Sequence, residues 1–432
     1  MDNYAPRLLD SVIQKYFRQL PALAIEGAKG VGKTETCTRL VTQTLRLDID
    51  DGVAVLRGGI DALRAQEKPL LVDEWQRYPQ SWDYVRRLVD EDQSPGQYLI
   101  TGSAEPAGAV THSGAARIVR MRMRPLSLHE RALCSPTVSI GRVLDYAAGA
   151  GTDVARDFSV DGVTDFALSD YVTEIIASGF PGLRRYSGEI LEVLLDGYID
   201  NIIQKEFPEN GVFVRRPDVL RQWMQAYAAA TAGTASYQKI MDAATAGEAA
   251  KPAKTTTQAY RDALDNLWIT DRVDAWLPST NVFAHLGKAP KHFLVDPALA
   301  CRLLNITRSQ LLRGESRDML GSQQSAVLGR LFEALLAQSL QTYAAINRAQ
   351  LRHFRSRKGD REIDFIIQRD FAVLAIEVKL SADITDADVV HLNWLAGRLS
   401  GYQVQKLVLN TGSHAYTRAD GVHVVPAVLL GA

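Results

Sequence analysis

The octapeptide at residues 27–34 constrains the fold of this chain more than any other segment. It reads GAKGVGKT and matches the phosphate-binding pattern G-x-x-x-x-G-K-[ST]. The apolar run at 23–26 predicts a buried strand before it, and a helix is expected to begin near Glu35, which is the context that such a loop requires. A glycine-rich turn that fits the pattern by chance is the alternative. The motif predicts a nucleoside triphosphate site made of Gly27, Ala28, Lys29, Gly30, Val31, Gly32, Lys33 and Thr34.

Each part of this motif has an expected chemical role. The glycines let the backbone wrap a phosphate without Cβ clashes, and N–H groups at the start of the helix point at the anion. Lys33 is placed to reach the β- and γ-phosphates, and the Thr34 hydroxyl to ligate Mg²⁺. The loop is therefore predicted to bind the nucleotide together with a magnesium ion.

A second nucleotide motif follows about forty residues downstream, where residues 69–74 read PLLVDE. This segment is an apolar strand that ends in two carboxylates. Asp73 is predicted to hold the Mg²⁺ water shell, and Glu74 to polarise the attacking water. A third strand at 97–100 ends in Thr101, whose hydroxyl would lie between the two motif strands and hold the lytic water. The alternative is that the paired acids cap a strand end by chance.

Four segments resemble, in order and spacing, a prokaryotic AAA-type ATPase family: GAKGVGKT, LLVDEWQRYP, YLITGS, and SGAAR leading into MRPLSLHE. The resemblance continues through residues 178–181 and 291–300 into the C-terminal region, so it covers nearly the whole chain. It implies hydrolysis of ATP with Mg²⁺, a sensor role for Thr101, and an arginine acting in trans or in cis, which falls on Arg117. Two departures are Thr101 itself, where Asn is common in other AAA proteins, and Trp75, where an aliphatic residue is commoner.

Composition favours a large protein that works away from membranes. At 432 residues, and about 150 per domain, three domains are expected. The net charge of −1 argues against a polybasic nucleic-acid binder, so any such contact must be local. The three cysteines lack C-x-x-C spacing, and the chain shows neither a signal-peptide pattern nor a long apolar run of membrane-span type. We therefore expect a cytoplasmic protein without a membrane partner.

The order of the patterns predicts an α/β fold class with several regions. A parallel P-loop NTPase sheet of AAA type is followed by a helical stretch, a winged-helix module and an α/β restriction-endonuclease-like domain. Residues 146–169 are rich in Gly, Asp and Ala without periodicity and are interpreted as a loop or linker. The predicted boundaries are 1–135 for the ATPase domain, 136–210 for the linker and helical segment, 211–315 for the winged-helix-like domain and 316–432 for the nuclease-like domain.

The region between the helical stretch and the nuclease-like domain has the order of elements expected of a winged helix. A helix near 256–267 would enter the major groove of DNA, and residues 268–273 predict the first strand of a wing. The exposed positions of that helix do not form a basic surface, since they include Gln258, Arg261 and Asp262. By the charge criterion, DNA contact and a role in packing or protein contact both stay open.

A second catalytic constellation is predicted in the last hundred residues. Asp364 lies in an alternating strand at 361–367, and period 2 puts Glu377 and Lys379 on one face of a later strand. Two carboxylates and a lysine at one sheet edge can bind Mg²⁺ and deprotonate a water for phosphodiester attack. With an upstream helical Glu, the set resembles the PD-(D/E)xK nuclease fold, which assigns metal ligation to Asp364 and Glu377, water activation to Lys379 and an accessory ligand role to Glu333. Alternatively, the same scaffold binds nucleic acid or protein without cutting.

Two functions from different classes follow from these patterns. In the first, the chain is an ATP-hydrolysing AAA-type protein that couples nucleotide state to a DNA-binding, nuclease-like C-terminal region. In the second, it is an ATP-gated switch or scaffold whose C-terminal half binds a partner and cuts nothing. Both predict ATP as a ligand and leave room for a homo-oligomer, whereas DNA or another nucleic acid is a required partner only in the first.

Overall fold

The computed structural model describes residues 4–104, 114–149, 158–245, 254–278, 289–313, 319–356 and 359–432. Its N-terminal part contains a sheet of five parallel strands in the order β2-β3-β4-β1-β5. The strands are β1 (Ala22–Glu26), β2 (Gln43–Arg46), β3 (Leu70–Asp73), β4 (Tyr98–Gly102) and β5 (Ile118–Arg122). Every residue of β1, β3 and β4 is buried, as expected of parallel strands covered on both faces. This sheet is consistent with the predicted P-loop AAA-type fold.

Amphipathic helices cover this sheet. In Gln80–Glu91, for example, Trp82, Val85 and Val89 are buried at helical spacing, whereas Arg87 is exposed. The apolar stripe of such a helix is stabilised by burial against the sheet, at about 25 cal/mol per Å² of apolar surface. The helices of this part are Leu8–Phe17, Lys33–Thr38, Asp50–Arg57, Ile60–Arg64 and Gln80–Glu91, with 3₁₀ turns at Trp75–Arg77 and His129–Arg131.

The middle of the chain is mainly helical. A π-helical turn, Ile202–Glu206, continues the helix Gly188–Asn201, and such turns often occur at functional sites. The other helices are Ile140–Ala147, Leu168–Ile176, Phe207–Glu209, Pro217–Ala229, Tyr237–Ala244, Lys254–Asn266, Pro297–Leu303 and Arg308–Arg313.

Three of these helices precede a short antiparallel pairing. After Pro217–Ala229, Tyr237–Ala244 and Lys254–Asn266, isolated bridges join Thr270 to Leu294 and Val273 to Lys291. The bridges fall in the segment for which the first strand of a wing is expected. The order of elements agrees with the winged-helix interpretation, which stays a prediction.

The C-terminal part contains a mixed sheet of seven strands, in the order β7-β12-β13-β11-β10-β9-β8. Strands β8, β9 and β10 are antiparallel neighbours, whereas β10, β11 and β13 run parallel. The helices Met319–Ile346 and Asp386–Ala396 accompany it. The strands are β7 (Gly162–Val163), β8 (Gln350–Arg355), β9 (Glu362–Arg369), β10 (Ala372–Val378), β11 (Gln403–Asn410), β12 (His414–Thr417) and β13 (Val422–Pro426).

The segment predicted as a linker contributes to this C-terminal part. Strand β7 pairs with β12, and the helix Ile140–Ala147 packs against β10 and β11. The strand β6 (Val138–Ser139) pairs with β14 (Leu430–Gly431). Residues 150–157, which also fall in the predicted linker, lie outside the described residues. The predicted domain boundaries stay a prediction, but the contacts show that the regions interleave along the chain.

A buried arginine joins the N-terminal part to the rest of the molecule. Arg131 donates through Nη1 to Glu174 Oε2 at 2.8 Å and through Nη2 to Gln338 Oε1 at 3.0 Å. Its side chain has no exposed surface, so these partners replace the water that a guanidinium otherwise requires.

In the part of the chain that the structure describes, no helix is long and apolar enough to cross a bilayer.

Candidate functional site

The phosphate-binding loop connects the end of β1 to the helix Lys33–Thr38. Gly27 has φ 154°, and a Cβ at this position would lie 2.1 Å from the carbonyl oxygen of Met123, so only glycine fits there. Gly32 has φ 100°, again in the region that favours glycine. The helix begins at Lys33, two residues before the expected start at Glu35. The backbone therefore has the turn that the motif predicts.

The Lys33 ammonium group is held inside the loop. The residue is 4% exposed, and its Nζ donates to the carbonyl oxygens of Gly27 at 2.8 Å and Ala28 at 3.0 Å. Burial lowers the pKa of Lys33, although the Glu74 and Asp73 carboxylates oppose this shift. The two carbonyl contacts are neutral, so an anionic phosphate would be a stronger partner for the same ammonium.

The Asp73 carboxylate lies beside the loop at the end of β3. Its Oδ1 accepts hydrogen bonds from Thr34 Oγ1 at 2.8 Å and from the hydroxyl of Thr101. Burial raises the pKa of Asp73, while the bonds from Thr101 and Thr34 lower it. The Glu74 N–H donates to Thr101 Oγ1 at 3.2 Å. Thr101 therefore connects the two predicted acidic residues across neighbouring strands.

The side chain of Glu74 turns toward the strand that ends at Gly102. Glu74 has φ 58°, an unusual conformation for a residue with a side chain. Its Oε2 accepts a hydrogen bond from Ser103 Oγ at 2.9 Å and another from the amide of Gln76. The carboxylate is thus positioned by two neutral donors. Trp75, the unusual residue that follows it, is buried and packs on Trp82 with ring centroids 4.8 Å apart.

Arg117 lies on the opposite edge of the sheet from the loop. Strand β5 pairs Ile118 with Ala22 and Arg122 with Glu26, so Arg117 is next to the beginning of β1, whereas the loop follows its end. The length of a five-residue strand, about 16 Å at ~3.3 Å per residue, separates the two. The Arg117 side chain is 46% exposed and donates to Asp90 Oδ1 at 2.7 Å. Its own loop is therefore out of its reach.

Residues of the middle region cover the loop, although no motif predicts a role for them. The Tyr198 hydroxyl donates to the carbonyl oxygen of Lys29 at 3.0 Å, and its ring packs on Phe180 at 4.9 Å. A Cβ at Gly30 would lie 3.8 Å from the Phe180 ring. Burial raises the pKa of Glu206, on the π-helical turn, and the nearby positive charge of Lys29 opposes this. The only sequence signal was the SGFP tetrapeptide at 178–181.

A buried aspartate fixes the segment that carries Phe180. Asp296 Oδ2 accepts hydrogen bonds from Gly179 N at 2.6 Å and Ser178 Oγ at 3.0 Å. Its Oδ1 accepts from Ala298 N at 2.8 Å and so caps the helix Pro297–Leu303. Asp296 is 0% exposed, so all these donors are withdrawn from water. The cover of the loop is therefore attached to residues that adjoin the C-terminal sheet.

The predicted C-terminal residues do lie close together. Asp364 is on β9, Glu377 is on β10, and Glu333 is on the helix Met319–Ile346. Asp364 Oδ2 accepts a hydrogen bond from the backbone N–H of Val378 at 2.9 Å. Lys379 Nζ donates to Glu377 Oε1 at 3.0 Å. The strand alternation therefore brings the acids to one place, as the spacing predicts.

The ammonium group of Lys291 lies among the acids that the sequence predicts as metal ligands. Its Nζ lies 2.8 Å from Glu333 Oε1, 2.9 Å from Asp364 Oδ1 and 3.3 Å from Glu362 Oε1. Among the residues that the structure describes, no group of three or more His, Cys, Asp or Glu side chains is arranged to hold a metal ion. Sequence analysis missed Lys291 because it lies 42 residues before Glu333 and 73 before Asp364.

Burial governs the charges in this cluster. Burial first and the Asp364 carboxylate second raise the pKa of Glu333 to about 8, and the same causes raise the pKa of Glu377 to about 8. Burial would lower the pKa of Lys291, but the carboxylates of Asp364 and Glu333 raise it above its usual range. Burial also lowers the pKa of Lys379, but the neighbouring Glu377 carboxylate raises it, and the net shift is upward. Burial therefore opposes the charge of each of these groups, so the acids and the lysines depend on one another as partners.

Other candidate nucleic-acid contacts are engaged within the protein. His353 is 1% exposed and its Nε2 lies 3.1 Å from the carbonyl oxygen of Ala289. Arg352 pairs with Asp274 at 3.4 Å, and the Arg361 guanidinium lies 4.5 Å from the ring centroid of Trp394. These three basic side chains near the C-terminal cluster are therefore used in contacts within the protein.

Known families match three separate parts of the chain. A family described as an AAA domain matches residues 19–132, and two domains of unknown function, DUF8612 and DUF4143, match 168–310 and 328–430. An uncharacterized protein of Mycobacterium bovis and one of Mycobacterium tuberculosis are each 23% identical over 428 residues, which cover 96% of this chain and 82% of theirs. The matches support an AAA-type ATPase family for the N-terminal part, and the other two parts resemble families without an assigned activity.

Proposed function

We propose that this protein is an ATP-hydrolysing switch of AAA type whose C-terminal half binds a partner without cleaving nucleic acid. The observation that carries the proposal is the proximity of the loop lysine, two acids and two hydroxyls at the carboxyl ends of β1, β3 and β4: Lys33, Thr34, Asp73, Glu74 and Thr101. Carboxyl ends of parallel strands are where α/β folds bind their ligands. The match of residues 19–132 to an AAA domain supports the same site.

The residues fit ATP and Mg²⁺ by their chemistry. Thr34 and Asp73 supply oxygen ligands 2.8 Å apart, and hard oxygens are what Mg²⁺ prefers. When bound, the ion would neutralise charge on the phosphates. Lys33 would exchange its two carbonyl partners for phosphate oxygens. Glu74 would leave Ser103 and Gln76 to accept a proton from water, while Thr101 keeps Asp73 oriented.

The cover over the loop supports a switch rather than an isolated ATPase. The Tyr198 hydroxyl donates to the loop, the Phe180 ring lies beside Gly30, and Asp296 binds the backbone next to Phe180. A nucleotide that enters the loop must therefore act on a segment that is tied to the rest of the molecule. Differential contacts of this kind are what allow a ligand to shift a conformational equilibrium.

Substitutions at two site residues test the proposal. Lys33→Ala should weaken ATP binding by about tenfold to a hundredfold, because a charge-assisted contact worth roughly 1.5–3 kcal/mol is lost. Glu74→Gln should bind ATP but lower the turnover rate by about 10²- to 10⁴-fold, since the general base is removed. Binding is measured with a fluorescent ATP analogue and turnover by phosphate release.

The matched control is Glu35→Gln, which changes a neighbouring carboxylate whose side chain is 62% exposed and pairs only with Arg39 among the contacts that the described residues show. It should bind and hydrolyse ATP as the wild type does. Equal turnover in Glu74→Gln and wild type would remove Glu74 from the proposed role. Failure of the wild type to bind ATP would overturn the proposal as a whole.

A further inference from the structure

The ammonium group of Lys291 is fixed within the acidic cluster by the backbone of its own segment. The Lys291 N–H donates to Val273 O at 2.9 Å, and its carbonyl accepts from Val273 N at 3.0 Å. The side chain is 1% exposed, and Nζ lies 5.7 Å from the ring centroid of Phe365. The lysine is therefore held by a bridge on one side and by an aromatic ring on the other.

The ammonium group and a metal ion would compete for the same oxygens. Magnesium binds carboxylate oxygens at about 2.0–2.1 Å in octahedral geometry. Lys291 already contacts Glu333 Oε1 at 2.8 Å and Asp364 Oδ1 at 2.9 Å, the oxygens that the predicted site would use. A metal ion bound by both Glu333 and Asp364 would lie next to the Lys291 ammonium group. The repulsion between the two cations is weakly screened in the protein interior. The two occupants exclude each other.

Two further oxygens of the predicted ligands accept hydrogen bonds from protein groups. Asp364 Oδ2 accepts the Val378 N–H, and Glu377 Oε1 accepts from Lys379. Glu377 Oε2 is buried, and within the described residues it has no hydrogen-bond partner. Donors of the protein therefore occupy oxygens of both strand acids that a metal-dependent nuclease would need as ligands.

We propose that Lys291 is the permanent cation of this cluster, so that the C-terminal site takes no divalent metal and does not hydrolyse phosphodiesters. The ammonium joins three elements instead: the segment that pairs with Val273, the helix that carries Glu333, and β9 with Asp364 and Glu362. A buried cation with three acidic partners fixes how these elements sit together, because removing it leaves carboxylates unpaired in the interior.

Calorimetric titration of Mn²⁺ into nucleotide-free full-length protein tests the inference. Every protein in the comparison carries Asp73→Asn, so that the nucleotide site contributes no cation. The reference protein should show no Mn²⁺ binding, whereas Lys291→Met should bind Mn²⁺ at least tenfold more tightly and gain melting temperature when Mn²⁺ is added. The substituted side chain keeps its length but loses its charge, so the acids accept the metal instead.

The matched control is Lys406→Met, which removes a half-buried lysine of the same sheet whose ammonium contacts Asn393 Oδ1 at 2.7 Å and the carbonyl oxygen of Asp420. It should bind no Mn²⁺. Mn²⁺ binding in the reference protein that Asp364→Asn abolishes would overturn the proposal, and so would a folded Lys291→Met protein without added Mn²⁺ affinity.

If Lys291→Met does not fold, a second set of substitutions tests the proposal. The triple variant Lys291→Met, Glu333→Gln, Asp364→Asn replaces these three charged groups by neutral groups of similar shape. It should then recover the cooperative melting transition that the single variant has lost. Persistent unfolding of this triple variant would contradict the role of Lys291 as counter-ion. These readouts are independent of ATP, so they fail separately from the proposed ATPase function.

Discussion

Single buried polar groups hold the key positions of this molecule. Thr101 donates to Asp73 and accepts from the Glu74 backbone, so one hydroxyl orients both acids of the nucleotide site. Asp271 receives Arg124 Nε at 2.6 Å and Arg122 Nη1 at 3.0 Å, which ties the end of β5 to the middle region. Burying such a polar group costs free energy. The hydrogen bonds and ion pairs that it makes offset this cost only while all of its partners are present.

His292 gives a testable pH dependence at this scale. Its Nε2 lies 2.7 Å from Ala235 O, and its ring packs edge-on against Tyr227 and Tyr237. Burial lowers the pKa of His292, a shift to which Arg272 adds and which Asp265 opposes. The unfolded chain therefore takes up the proton at this site first as pH falls through about 6.5, so the contribution of His292 to the free energy of unfolding should decrease with falling pH.

The measurement is a series of urea unfolding curves between pH 8 and pH 5. His292→Gln retains an N–H donor for Ala235 but does not titrate. The slope of its free energy of unfolding against pH should therefore be lower than that of the wild type, by at most about 1.4 kcal/mol per pH unit. Burial lowers the pKa of His129 and His423 in the same way, so the slopes of variant and wild type are compared by difference. Identical slopes would mean that His292 does not titrate on unfolding.

At the scale of elements, the segment 291–296 connects the two candidate sites. Its first residue contributes the ammonium group of the C-terminal cluster, and its last residue binds the backbone beside Phe180 over the phosphate-binding loop. His292 and Leu294 form bridges to Thr231 and Thr270 along the way. The segment is therefore anchored at both ends and in the middle, so we expect a displacement at either site to be transmitted along it.

Replacing Asp296 by Ala tests this connection. The change leaves Ser178 Oγ and Gly179 N without their acceptor and removes the cap of Pro297–Leu303, so the free energy of unfolding should fall by about 2–4 kcal/mol. Because the cover over the loop is released, KM for ATP should rise as well. Ser236→Ala is the control: it removes only the cap of Tyr237–Ala244, should cost about 1 kcal/mol and should leave KM unchanged. An unchanged KM in Asp296→Ala would separate the segment from the nucleotide site.

Local sequence patterns predict those features of the fold that depend on residues close together in the chain. They do not predict contacts between residues that are far apart in the sequence. The loop at 27–34 and the acids that end β3 follow from motif spacing, because parallel strands place their ends at one edge. The roles of these residues stay predictions. Lys291 could not be placed from the sequence, since its partners are separated from it by 42 and 73 residues. Strand β7 was missed because two residues have no recognisable period.

At the scale of the whole molecule, the position of Arg117 bears on assembly. It lies across the sheet from its own loop, and its half-exposed side chain pairs with Asp90 at the surface. An arginine at that edge can complete a nucleotide site only in a neighbouring copy of the chain, which is the trans alternative. We therefore expect ATP hydrolysis to depend on a homo-oligomer in which Arg117 faces the next loop.

Mixing two inactive variants tests this expectation. Arg117→Ala alone should lower turnover by on the order of 10³-fold if the arginine acts on a neighbouring site. Mixed with Glu74→Gln protein, it should regain part of the activity, because some interfaces combine an intact Glu74 site with an intact Arg117. Arg86→Ala is the control, because Arg86 pairs with the same Asp90, at 3.2 Å, from the helix Gln80–Glu91. No recovery at any mixing ratio would contradict action in trans.

The contribution of the helix Ile140–Ala147 and of β7 to the C-terminal part has a consequence for synthesis of the chain. The helix leaves the ribosome roughly 225 residues before β10, on which it packs, and β7 leaves it roughly 250 residues before its partner β12. At about 5–20 residues per second, they wait roughly 11 to 50 s for these strands. During that time the apolar face of the helix, with Ile140, Val143 and Leu144, has no sheet to cover it. We therefore expect the nascent chain to expose a hydrophobic surface, to which chaperones can bind, until these strands have been synthesised.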